Sequence, residues 1–126
     1  GDSVIFFTKS NVVHMGDDFF NGMFPFVDQE NGGSVKGLIA NIEKVLATVP
    51  DDAKIIPGHG ALSDKAGLRR FHLMLKETQA AVARAVRQKK SLDAMKKEKI
   101  LAVWEDMGKG HIKTDAWIET LYREAK

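Results

Sequence analysis

The chain has 126 residues, enough for one domain with a modest core. Its 44% hydrophobic and 29% charged content is that of a globular domain, which excludes a disordered or low-complexity segment, and no apolar run approaches the ~20 residues of a membrane helix. Cysteine is absent, so disulfides and thiolate metal sites are excluded. The net charge of +2 conceals two unlike parts. Residues 1–62 carry four Lys and no Arg against eight Asp and Glu, residues 63–126 carry fifteen basic against nine acidic residues, and six of the seven Phe lie at or before Phe26. The expected division is a sheet with loops over 1–62 and a basic helical tail over 63–126, within one domain. Because the first residue is Gly1 rather than Met, the start is read as a processed or cut end, and targeting information would lie upstream of it.

In chain order, β-branched and aromatic residues from Val4 to Thr8 predict a strand. Lys9-Ser10-Asn11 is turn chemistry, and Val12, Val13 and Met15 predict a second strand that halts at Gly16. The stretch "DFFNGMFPFVDQENGG" is too rich in Gly, Asn and Pro for a helix and too apolar for a solvated loop. It is expected to be an ordered loop that packs its aromatics or lines a pocket. Ser34 is a candidate N-cap. Val35, Leu38, Ile39, Ile42, Val45, Leu46 and Val49 recur at helical spacing up to Pro50. Gly37 inside that helix costs up to ~1 kcal/mol against Ala, which close packing would explain. Lys54-Ile55-Ile56 is a short strand. Ser63 or Asp64 can cap a long helix to about Gln88 with Leu68, Phe71, Leu75, Val82 and Val86 on one face. A shorter helix is expected over Leu92 to Met107, then a loop "GKGHIKT", then a helix capped by Thr114 that buries Trp117, Ile118 and Leu121. A strand-helix-strand run of this kind predicts an α/β layer. Three strands make a poor free-standing sheet, so the Val35 helix and the aromatic loop are expected to present surface to further protein.

Two places share a design. Gly16-Asp17 ends the second predicted strand, and Gly58-His59-Gly60, in "IIPGHGAL", ends the third. Strand ends of α/β layers are where sites gather, and glycine lets another group approach closely. A carboxylate and an imidazole both suit a divalent metal such as zinc, at about 2.0–2.2 Å. Each feature alone is commonly just a turn. Two ligands do not hold zinc, since a catalytic site needs about three plus water. His14 lies three before Asp17 and on a strand would point to the opposite face. His72 sits in the long helix as a packing or surface residue, and His111 in a loop between basic residues. Asp2, Asp18 and Asp28 remain possible further ligands, although the sequence puts no compelling second donor beside any of them. No His-x-His-x-Asp-His cluster, G-x-S-x-G elbow or phosphate loop is present. The basic helices lack interleaved aromatics and a reading motif, which argues against nucleic acid as a partner.

The ordered set "GDSVIFFTKSNVVHMGDDFFNGMFPFVD", "GGSVKGLIANIEKVL" and "IIPGHGAL" resembles the C-terminal half of metallo-β-lactamase-fold hydrolases, in the bacterial branch whose strands carry "GDS", "GD-FFNG-FPF-D" and "PGHG". The tail "MGKGHIKTDAWIETLYRE" is similar to the helical end of that branch, so the resemblance spans essentially the whole chain. It implies an α/β fold that is half of an αββα sandwich, a small mixed sheet with packed helices plus C-terminal helices. It implies a dinuclear zinc site at one edge, with Asp17 as the carboxylate that bridges both ions and His59 as the last ligand, on the second metal. The remaining ligands of the family lie in a His-x-His-x-Asp-His motif of the N-terminal half and in an "HT-x-GD" segment whose Gly-Asp matches Gly1-Asp2. The chain is therefore expected to be a C-terminal fragment, inactive alone, of a zinc-dependent hydrolase acting on a small-molecule substrate. Asp17 would also help to position the nucleophile, and His59 must be neutral to bind, so binding would weaken in acid. Phe19, Phe20, Phe24 and Phe26 are candidates for a pocket wall or for inter-layer core. The compartment, bacterial cytoplasm or periplasm, is left open by the sequence. The partners expected are the N-terminal half or a second copy of the chain in a homo-oligomer or strand-exchanged dimer. The alternative is a non-catalytic interaction or oligomerisation module, because half a sandwich leaves apolar surface uncovered.

Overall fold

Two apolar runs flank an Asn turn, and they pair. In the computed structural model, which describes residues 4–126, β1 (Ile5–Phe7) and β2 (Val12–Phe20) form an antiparallel hairpin with Ile5 opposite His14 and Phe7 opposite Val12. Asn11 closes the turn at φ 55°, a left-handed conformation that Asn tolerates, and its side-chain amide donates to Asp52 Oδ1 at 3.0 Å. β2 does not halt at Gly16. It continues through Asp17, Asp18 and Phe19 to Phe20, territory where the Asp, Asn and Gly content predicts a loop. Pairing with the neighbouring strand overrides that local signal.

α1 (Val35–Thr48) carries the chain back for a parallel pairing. Ser34 caps it, its Oγ accepting from the Gly37 N–H at 2.9 Å. A Cβ at Gly37 would lie 3.0 Å from that Oγ, so the glycine gives room to the cap rather than to a packed neighbour. β3 (Lys54–His59) then lies parallel to β2, with Val13 opposite Ile55. A two-residue β4 (Ser63–Asp64), too short and polar for any periodicity, pairs antiparallel with β3. The order β1-β2-β3-β4 makes a small mixed four-stranded sheet.

α2 (Lys65–Arg87) starts at the Asp64 cap, whose Oδ1 accepts from the Gly67 N–H at 2.9 Å. The predicted 92–107 helix divides. α3 (Leu92–Lys97) ends where Lys99 turns left-handed at φ 51°, and a 3-10 segment, Ala102–Lys109, follows with a kink at Trp104. The charged run Lys96-Lys97-Glu98-Lys99 offers no apolar residue to bury, while Met95, Leu101 and Met107 each reach the core. α4 (Thr114–Ala125) closes the chain, with Lys113 rather than Thr114 at its N-cap.

Helices cover one face of the sheet. Val13, Met15 and Ile55 are fully buried in one cluster with Ile42 of α1 and Leu68, Phe71 and Leu75 of α2. α4 packs on α2, and α3 on α4. Trp117, fully buried, stacks on Phe24 at 5.7 Å and donates through Nε1 to Thr78 Oγ1 at 3.1 Å. Lys65 is buried and turned back to the end of α1, where its ammonium donates to the Val49 carbonyl at 2.6 Å and to Asp51 Oδ1 at 3.0 Å. A cation suits the negative end of the helix dipole. The same hydrogen bond holds the Asp51 carboxyl below the usual carboxylate range.

The other face has no helix over it among the described residues. Ile5 is 49% and Phe7 50% exposed, and His14, the cross-strand neighbour of Ile5, is exposed as well. The expectation that α1 would be left uncovered is therefore corrected, and that for the aromatic loop in part. Val35, Leu38, Ile39, Ile42 and Val45 of α1 are buried within the chain, as are Phe19, Phe20 and Phe24, while Phe26 and the whole of β1 stay exposed. Among the described residues no helix is long and apolar enough to cross a membrane.

Candidate metal centre

Gly16 adopts φ 55° within β2, and the register with β3 shifts on either side of it. This is a β-bulge, and a bulge re-aims the side chains that follow it. Without it Asp17 would continue the inward row of Val13 and Met15. With it Asp17 turns outward, so His14 and Asp17 are both exposed rather than on opposite faces. His14 still takes no part with Asp17 in a donor cluster. Its Nδ1 accepts from the Gly16 N–H at 3.2 Å and thus serves the bulge itself.

β3 brings the second donor. Pro57 lies opposite Gly16 and His59 opposite Phe20. A Cβ on Gly58 would collide with the Gly16 carbonyl oxygen and come within 2.9 Å of Asp17 Oδ1. Only a glycine lets the two strands close at this point. Gly60 has φ 97°, and a Cβ there would lie 2.6 Å from the Asn21 carbonyl oxygen. The glycines on both sides of His59 are thus required by close approach, the one of β2 and the other of Asn21.

The result is a pair. Asp17 Oδ1 and His59 Nε2 stand 3.4 Å apart, with side chains 60% and 43% exposed. That separation is long for a charge-assisted hydrogen bond, about 2.7–2.9 Å. It matches the chord between two ligands on one tetrahedral zinc, which is about 3.3–3.5 Å for metal–ligand bonds of about 2.0–2.2 Å. The donor chemistry and the spacing therefore fit a shared divalent metal. Among the described residues no group of three or more His, Asp and Glu is placed to hold one.

The other candidates lie elsewhere. His72 Nε2 pairs with Glu43 at 2.9 Å between α2 and α1. His111 sits exposed in the loop before α4. Asp18 is buried. Asp28 accepts from the Asn31 side-chain amide at 2.7 Å within a 3-10 turn, Gln29–Asn31. Asp2 lies outside the described residues.

The four loop phenylalanines separate by role. Phe19 packs on Phe71 and Phe24 on Trp117, as inter-layer core. Phe26 is 60% exposed and borders an open cavity of about 500 Å³ that also reaches Asp17, Asp28, Gly33 and Leu38. Phe20 stacks flat on the His59 imidazole, with centroids 4.5 Å apart and planes 6° from parallel. Asn21 was not a candidate on sequence, yet its backbone N–H donates to the His59 carbonyl and its side-chain amide to the Ala61 carbonyl, both at 2.9 Å. Its only sequence signal, Asn before Gly, reads as an ordinary turn. The chain that borders the cavity, from Phe26 to Ser34, is tied at its neighbours to the C-terminal helix. Gln29 Nε2 donates to the Thr120 carbonyl and to Glu124 Oε2, both at 3.0 Å, and Glu124 Oε2 accepts the first N–H of α1, from Val35, at 2.7 Å.

No family model and no curated protein matches the chain.

Proposed function

We propose that this chain supplies Asp17 and His59 to a zinc-dependent hydrolytic centre of the metallo-β-lactamase type, and that the other ligands come from polypeptide outside these 126 residues. The observation that carries the reading is the 3.4 Å approach of Asp17 Oδ1 and His59 Nε2 at a sheet edge, reached through a bulge on one strand and a glycine-cleared crossing on the other. The small mixed sheet with helices on one face and an open second face supports the finer architecture, half of an αββα sandwich.

A bound zinc lowers the pKa of its water to about 7 and polarises a carbonyl. The chain's own residues do the rest of what can be assigned. Asp17 offers a carboxylate oxygen toward His59 and remains open to solvent on the side of the cavity. His59 offers Nε2, which requires the tautomer with its proton on Nδ1. Phe26 gives the cavity an apolar wall beside Asp17, where the non-reacting part of a small-molecule substrate would lie.

The test has two parts. A large excess of Zn²⁺, which two ligands hold only weakly, should perturb the NMR resonances of Asp17 and His59 ahead of those of His72 and His111, and Asp17→Asn or His59→Gln should abolish the response at the partner residue. The polypeptide encoded immediately upstream should contain a His-x-His-x-Asp-His motif, and together with it the chain should hydrolyse an ester, thioester or lactam in a zinc-dependent way. Full activity of the 126 residues alone would overturn the proposal that ligands come from elsewhere.

A second reading, an interaction or oligomerisation module, is supported by the exposed Ile5, Phe6 and Phe7 of the edge strand β1.

A further inference from the structure

We propose that Phe20 is the positioning residue for His59, holding the imidazole in the plane from which Nε2 faces Asp17. The inference rests on reading His59 as a metal ligand and concerns how the chain prepares that ligand before any metal arrives.

Two constraints meet at His59. Its backbone is pinned from β2: the Asn21 N–H holds the His59 carbonyl, and the Asn21 side chain holds the Ala61 carbonyl two residues on. The left-handed Gly60 lets this clamp close. Its side chain needs a separate restraint. A 43% exposed histidine at a strand end, with two rotatable bonds, would otherwise populate several rotamers, and ligation would have to select one. The Phe20 ring supplies the restraint. It lies parallel to the imidazole at 4.5 Å, and Phe20 is itself buried at 6% exposure and paired opposite His59 across the β2–β3 register. The platform is therefore part of the core and does not move with the ring that it supports.

The choice of an aromatic platform has a chemical consequence. Metal-ligating histidines are usually oriented by a hydrogen bond to the nitrogen remote from the metal. A phenyl face fixes the plane of the ring while making no hydrogen bond with either nitrogen, so Nδ1 can carry the proton and Nε2 can face a metal.

The experiment uses imidazole ¹H–¹³C NMR at one fixed pH, with His59 assigned from His59→Gln. The His59 ring protons should be displaced upfield of those of the exposed His111 by the Phe20 ring current. Phe20→Leu should abolish that displacement and weaken Zn²⁺ binding, read at Asp17, about 10-fold, the loss typical of removing an orienting group behind a ligand. Phe20→Tyr should retain both. Phe20→Met serves as the non-aromatic variant if the amide dispersion shows that the leucine variant is unfolded. A non-aromatic variant that keeps the upfield displacement, or one that loses it yet binds Zn²⁺ like the parent, overturns the positioning role and leaves the metal reading standing. Asp17 and His59 resonances that ignore Zn²⁺ even in large excess, where a weak two-ligand site still registers, overturn the metal reading itself, whatever the ring-current result.

Discussion

Replacing Gly58 by alanine would place a methyl group against the Gly16 carbonyl and within 2.9 Å of Asp17 Oδ1. The strands would have to separate where the two donors meet. Gly58→Ala is expected to lower stability in urea by more than about 2 kcal/mol, since overpacking against backbone has no cheap relaxation. Gly22→Ala is the control. Its φ is 78° with nothing within 4 Å, so it carries only the left-handed penalty of about 1–2 kcal/mol. Gly58→Ala should also erase the Zn²⁺ response of His59, and Gly22→Ala should not. Equal effects of the two substitutions would remove the close-approach explanation of Gly58. At this scale Asp17 and His59 were legible, because a carboxylate and an imidazole beside glycines are unusual in local sequence. Phe20 and Asn21 were not. A phenylalanine among five others in the first quarter of the chain, and an Asn before a Gly, look the same whether they serve a histidine or a loop.

Periodicity settled the helices that pack by one face. Val35, Leu38, Ile39, Ile42 and Val45 are buried along α1, and Leu68, Phe71, Leu75 and Val82 along α2, at the spacing read from the sequence. It failed for β2 beyond Gly16, where the bulge breaks the alternation, and for α3, whose charged end turns instead of continuing. α3 is tied to α4 by an ion pair, Lys96 Nζ to Glu119 Oε1 at 2.7 Å. The hydrogen bond from Lys96 holds the Glu119 carboxyl below its usual 4.5, and the one to Glu119 raises Lys96 above 10.5. For Glu119 the sign follows from a folded value below the unfolded one: the stabilisation is present above 4.5 and is lost as pH falls through the lowered folded value. For Lys96 it is present below 10.5 and lost as pH rises through the raised folded value. Glu119→Gln should therefore lower Tm at neutral pH and flatten the decline of Tm in acid below about pH 4.5, where Glu119 takes up its proton. Both groups are partly exposed, so the difference is small and shrinks with added salt. Parallel Tm profiles of the two proteins in acid would show that the pair contributes nothing.

One face of the sheet is covered by α1 and α2 and the other is open, with Ile5, Phe6 and Phe7 exposed on an edge strand. An exposed apolar edge recruits another chain. We expect the isolated chain to be a dimer or larger by light scattering at high concentration, and a double Ile5→Lys, Phe7→Lys variant to be a monomer of unchanged helix content. A monomeric parent would count against the open face as an interaction surface. Residues within a few positions of each other decide helix periodicity, capping and turn chemistry. The sequence by itself therefore determined that α1, α2 and α4 exist, that Ser34 starts α1, and that Ser63 or Asp64 starts α2. It determined too that a carboxylate and an imidazole, Asp17 and His59, sit beside glycines. Their meeting at 3.4 Å was decided only by the tertiary structure. It depends on β3 lying parallel to β2 after the α1 crossover, on the register that sets Gly16 opposite Pro57 and Phe20 opposite His59, and on a bulge that turns Asp17 outward. Strand register is a property of a pairing between distant segments, and a slip of one residue would send the donors to opposite faces.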